Sequence, residues 1–123
     1  MQVVRRIAAA LAALSLVGAL AACSAGSKPD VVPSDELPAG TEPAVTVRVI
    51  DNKYEPAEVE IEAGQAVRWV MEGVMEHDVV AEDGSFVSEL MTAGEYVHVF
   101  DSAGEWPYDC SIHPEMTGKV IVR

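Results

Sequence analysis

Cysteine is scarce in this chain: Cys23 and Cys110 are the only two in 123 residues. They could form one disulfide at most, so a fold stapled by several bridges is excluded. Basic residues are few as well, with 8 Lys and Arg against 20 Asp and Glu and a net charge of −12. Nucleic acid is therefore a poor partner, because its phosphates need cationic side chains. A strongly acidic surface steers basic proteins and resists self-association, so a monomer is expected. No apolar run reaches the about 20 residues that a membrane span needs. Nothing beyond the N-terminus has helical periodicity, and there is no internal repeat. The length admits one domain.

What is present begins with an export pattern. Arg5 and Arg6 form a short basic region, Ile7 to Ala19 is unbroken Ala, Leu, Val, Ile, Ser and Gly, and Leu20-Ala21-Ala22-Cys23 follows. A charged start, an apolar middle and a small-residue end describe a cleaved signal peptide over residues 1–22. The Leu-Ala-Ala-Cys ending resembles the lipobox of bacterial lipoproteins, which implies lipidation of Cys23. Each buried CH2 of an acyl chain contributes about 0.8 kcal/mol, and more than one chain makes the anchor stable. An exported protein held at the outer face of the cell membrane or in the periplasm is the expectation. A lipidated Cys23 cannot pair, which leaves Cys110 as a lone thiol in an oxidising compartment. A bound metal would protect it.

Residues 23–43 read as the lipidated cysteine and a linker. Pro29, Pro33, Pro38, Gly40 and Pro43 interrupt a small, acidic stretch with little to bury. That composition predicts a disordered, extended spacer.

From residue 44 to residue 123 the apolar pattern has a period of two. Val45, Val47 and Val49 alternate with Thr46 and Arg48; Val59 and Ile61 with Glu58, Glu60 and Glu62; Val67, Trp69 and Met71 with Arg68 and Val70; Tyr96, His98 and Phe100 with Val97 and Val99. Gly118 to Arg123 closes the chain as a strand. Turn residues such as Asp51-Asn52, Ala63-Gly64, Asp83-Gly84 and Ala103-Gly104 separate the runs. Short strands at this spacing predict an all-β, antiparallel sandwich. The three strand glutamates are read as a solvated face.

The chemistry is concentrated in Cys110-Ser111-Ile112-His113-Pro114-Glu115-Met116. A thiol, an imidazole and a thioether recur at steps of three, and Pro114 stiffens the turn. Each alone has an ordinary explanation: a packed cysteine, a surface histidine, a core methionine. Together they make a soft donor set, and a second imidazole would complete a trigonal copper site. His77, in Glu76-His77-Asp78-Val79-Val80, is the candidate for it.

This C-x2-H-x2-M loop resembles that of the cupredoxins, the blue type 1 copper proteins of plastocyanin/amicyanin type; its short His-to-Met spacing is most similar to the amicyanins, whereas plastocyanins and pseudoazurins have a longer gap before the Met. Glu55-Pro56, Ala63-Gly64, the Trp69 strand, His77-Asp78-Val79 and Gly104-Glu105-Trp106-Pro107-Tyr108 extend the resemblance over nearly the whole domain. It implies a Greek-key β-sandwich of seven to eight strands. It also implies one copper ion per chain, cycling between Cu+ and Cu2+, with His77, Cys110 and His113 as equatorial ligands and Met116 as the weak axial one. His113 would be the electron's exit point, and the partner a redox protein with a basic or apolar docking face. Asp78 departs from the family, where Asn is frequent; it is expected to accept the Ser111 N–H, and an ionised carboxylate there would stabilise Cu2+. Pro107 lacks a ladder donor and should face an edge or a bulge. His98 is read as a packed strand histidine, Met75 as docking patch or simple packing, and Met71 and Met91 as core.

An electron carrier is the first reading. Copper storage, delivery or protection is the alternative, although the linker lacks the Met- or His-rich tail that delivery would favour. Enzymatic activity is not expected, because mononuclear catalysis needs an open coordination position. Zinc suits the set poorly, since a thioether is not one of its usual ligands.

Overall fold

Alternating Val, Ile and Trp cannot bury both faces of a lone strand, and in this protein they pair into two sheets whose apolar faces meet. The computed structural model describes residues 27–123. Cys23 and the expected signal peptide lie outside the described residues. The strands are β1 (Val45–Ile50), β2 (Lys53–Glu55), β3 (Glu58–Ile61), β4 (Ala66–Met71), β5 (Val80–Ala81), β6 (Gly94–Val99), β7 (Gly104–Cys110) and β8 (His113–Val122). One sheet has the order β2-β1-β4-β6 and the other β3-β8-β7-β5. There is no helix among the described residues.

The eight-strand sandwich agrees with the sequence, but the purely antiparallel expectation does not. β1 runs parallel to β4, and β3 runs parallel to β8. Parallel neighbours need a crossover connection. Here the opposite sheet supplies it: the chain leaves β1 through the β2 hairpin, crosses as β3, and returns as β4 beside β1 in the same direction. Alternation records which face a strand buries, not which way it runs.

Trp69 is fully buried at the centre of the core, stacked on Phe86 with ring centroids 5.4 Å apart and edge-on to Tyr108 at 5.5 Å. Such aromatic pairs add to their area burial by about 0.5–1.5 kcal/mol. Glu58, Glu60 and Glu62 are exposed as expected, and Glu60 pairs with Arg123. Pro107 also behaves as expected. Its carbonyl accepts the Glu82 N–H at 2.9 Å just past the two-residue β5, so the missing donor falls where the ladder ends.

The expected spacer behaves differently. Val32 N–H donates to Val87 C=O at 2.8 Å, and Asp35 N–H to Val97 C=O at 2.8 Å. Ser34 Oγ accepts Val97 N–H at 2.9 Å, and Asp35 Oδ2 accepts Val99 N–H at 2.8 Å. Residues 28–35 therefore dock against Val87 and Ser88 and then along β6, where Ser34 and Asp35 cap the outward donors of an edge strand. Weak hydrophobicity prevents this segment from building a core of its own. It does not prevent hydrogen bonding to a sheet already formed.

Candidate metal centre

Cys110 and His113 face each other because they close a two-residue hairpin. Cys110 ends β7, His113 begins β8, and the two are cross-strand partners with only Ser111 and Ile112 between them. The next pair in register is Asp109 with Thr117, so Pro114, Glu115 and Met116 have no partner in β7. This bulge suits Pro114, which has no N–H to offer. Met116 turns into the core and is 1% exposed.

The distant histidine arrives from the loop after β4. Glu72 N–H and Gly73 N–H both donate to Val49 C=O, at 2.8 and 3.2 Å, which leads the chain past the end of β1. There the Asp51 carboxylate accepts the N–H groups of Val74 and Met75, at 3.2 and 3.1 Å. His77 and Met91 exchange backbone hydrogen bonds of 3.1 and 3.0 Å, and Tyr54 OH donates to Asp78 C=O at 2.6 Å. His77 is 1% exposed and Cys110 fully buried.

The result is a convergent trio. Cys110 Sγ lies 3.8 Å from His77 Nδ1 and 3.8 Å from His113 Nδ1, and the donor atoms of all three residues lie within 4.8 Å of one another. The two imidazole rings are 5.2 Å apart, centre to centre. His77 Nε2 is turned away, 2.9 Å from Asp51 Oδ1. A carboxylate only accepts, so Nε2 carries the proton and Nδ1 keeps its lone pair for the centre. That hydrogen bond, with the Met75 and Val74 N–H groups, holds the Asp51 carboxyl below its ordinary range.

Burial pushes the Cys110 thiol up, against the backbone N–H groups of Asp78, Ile112 and His113, which pull it down. An anionic sulfur here therefore calls for a cation. A soft donor set of one thiol and two imidazoles, with no carboxylate in the cluster among the described residues, fits copper.

Asp78 is fully buried and grips the loop as expected: Ser111 N–H donates to Oδ1 at 2.7 Å and Ser111 Oγ–H to Oδ2 at 2.6 Å. Two participants were not legible in the sequence. Asp51 had only the signature of a turn. Lys28, the sole basic residue in the acidic stretch 24–43, reaches Asp78 Oδ2 at 2.8 Å. His98 stands outside the trio, between Phe86 at 5.0 Å and Phe100 at 4.7 Å. Met71 is core, and Met91 is half-buried against it. Met75 is exposed, as are Val74 and Ile112.

A family model described as a cupredoxin-like domain matches residues 10–122. The chain belongs to the cupredoxin-like family. Among its relatives is amicyanin from Paracoccus versutus, 36% identical over 124 residues that cover 93% of each chain. The crystal structure of amicyanin from Paracoccus versutus superimposes with a TM-score of 0.59 at 39% identity, covering 76% of this chain and 92% of that one. A variant of amicyanin solved in its reduced Cu(I) form at pH 4 has a TM-score of 0.60 at 31% identity, covering 68% of this chain and 85% of that one. Cupredoxin membership agrees with the sandwich and with the resemblance carried by the Cys110 to Met116 loop.

Proposed function

We propose that this cupredoxin is an exported one-electron carrier with a single type 1 copper ion, which His77, Cys110 and His113 would hold together with a weaker bond from Met116. The observation that carries the reading is the buried His–Cys–His trio, closed to water except at the partly exposed His113. Copper supplies the one-electron couple between Cu2+ and Cu+. The chain supplies everything else. Cys110 offers a charged, polarisable sulfur. Asp51 orients His77, and the Cys110–His113 hairpin orients His113. A soft, uncharged Met116 favours the reduced ion relative to a hard oxygen in that place. Cys110, His113 and Met116 sit on strands and His77 is tied by its backbone to Met91, so little has to move when the electron does.

His113 would be the route to the surface, and Ile112, beside it in sequence, and Met75, two residues before His77, are exposed apolar side chains that could serve a docking face. The partner would be a redox protein with an apolar or basic docking face, the latter complementary to a net charge of −12. Lipidation at Cys23 would hold the carrier at the outer face of the membrane.

The test is the visible absorption spectrum of the full chain with one equivalent of Cu2+. An intense blue charge-transfer band is expected, bleached by reductant and absent in Cys110→Ala. A weak, pale band would mean copper without a short thiolate bond, and the ligand assignment would fall.

A further inference from the structure

We propose that Lys28 is a positioning residue of the metal centre, brought there by the N-terminal segment to neutralise the buried carboxylate that grips the ligand hairpin. The inference rests on the copper reading above for its electrochemical half, and on geometry alone for the rest.

Asp78 carries a carboxylate with no exposed surface, directly after His77 in sequence and hydrogen-bonded to Ser111 directly after Cys110. Alone, that negative charge would be costly to bury. Lys28 Nζ lies 2.8 Å from Asp78 Oδ2 and also donates to Ser88 C=O at 2.6 Å. Its side chain is 23% exposed, so most of it is covered by the protein. Ser88 is itself fully buried and ties back to the segment carrying Asp78, for its Oγ accepts Val79 N–H at 2.9 Å. The lysine is held in place from behind. Val32, Ser34 and Asp35 bond to Val87, Val97 and Val99, and Tyr96 OH donates to Val32 C=O at 3.1 Å. A segment docked at this many points presents its cation at a fixed position.

Two effects follow from this one contact. With its charge balanced, Asp78 can spend both oxygens on Ser111 and hold the hairpin that orients Cys110 and His113. The pair is also electrically neutral beside a centre that takes up one electron from a protein donor and no proton. An unbalanced carboxylate there would favour the more positive, oxidised ion. Lys28 therefore raises the reduction potential.

The experiment compares the full chain with Lys28→Gln, Lys28→Arg, Asp78→Asn and the double variant Lys28→Gln/Asp78→Asn at neutral pH. In the copper-loaded protein, Lys28→Gln should lower the midpoint potential by the equivalent of about a tenfold change in the one-electron equilibrium, about 59 mV. Lys28→Arg should restore it, Asp78→Asn should raise it, and the double variant should return close to the parent. In the copper-free protein, Lys28→Gln should speed amide exchange at Ser111 while Val32 and Asp35 stay protected. A potential unmoved by Lys28→Gln overturns the electrostatic role, and unchanged Ser111 exchange overturns the positioning role. If the chain bound no copper, the metal reading would fall, and exchange at Ser111 would still decide whether Lys28 holds the hairpin. Should Lys28→Gln fail to fold, Asp78→Asn against the double variant gives the same comparison, and equal potentials in those two overturn the proposal.

Discussion

His77 Nε2 donates to Asp51 Oδ1 at 2.9 Å, and the same oxygen accepts the Met75 N–H at 3.1 Å. One carboxylate thus sets both the path of the loop and the tilt of the imidazole it carries. Gly73 makes room for it: a Cβ there would stand 2.4 Å from Asp51 Oδ1.

Loss of this partner should be felt as affinity. Groups that orient a metal-bound histidine are typically worth 10–100-fold in metal binding. Asp51→Ala should weaken copper binding by about that factor, and Asp51→Asn, which keeps an acceptor oxygen, by less. Competition titration against a chelator of known affinity measures both. Equal affinities in all three proteins would mean that the backbone alone orients His77.

Gly118 is a second place where a missing side chain matters. It is the cross-strand partner of Tyr108, and a Cβ there would lie 2.3 Å from Tyr108 Cζ. Tyr108 is 3% exposed and has little room to retreat. Gly118→Ala should destabilise the fold by about 1–3 kcal/mol, the usual cost of overpacking. Denaturant unfolding reads this directly, and trimming the ring in Gly118→Ala/Tyr108→Leu should recover part of the loss. An unaltered midpoint in the single variant would show that the ring can move aside.

His98 should give acid sensitivity. Burial holds its imidazole below the ordinary value of 6.5, against the opposing pull of Asp35, Asp101 and Asp83. Above 6.5 neither the folded nor the unfolded chain holds that proton, and His98 costs nothing. As the pH falls through that value the unfolded chain is protonated first, so stability drops. The loss is complete once the folded imidazole has also titrated. His98→Gln should therefore show a shallower fall in unfolding midpoint between neutral and mildly acidic pH. Parallel curves for the two proteins would contradict the argument.

The parts legible in the sequence are those that short-range pattern encodes. Val45 to Val49 and Val67 to Met71 declare strands and their buried faces by alternation. Cys110, His113 and Met116 declare a site by their spacing, and Asp78 to Ser111 followed from the family's use of that position. What escaped depends on adjacency between distant segments. Asp51 meets His77 only because β1 lies parallel to β4, and alternation carries no direction. β5 is two residues long, too short to show a period. The docking of residues 28–35 is made largely by backbone groups, which composition does not report.

That docking also sets how far the carrier can stray. Lys28 is fixed beside Asp78, and Cys23 precedes it by five residues. Fully extended, five residues reach at most about 18 Å. With Cys23 acylated as proposed, the end of the sandwich that bears the redox centre is leashed close to the lipid surface. So anchored, it would not swing out on the whole 23–43 segment. Its search for any membrane-bound donor or acceptor would then be a two-dimensional one, with the reactive end held at the height where such partners are met.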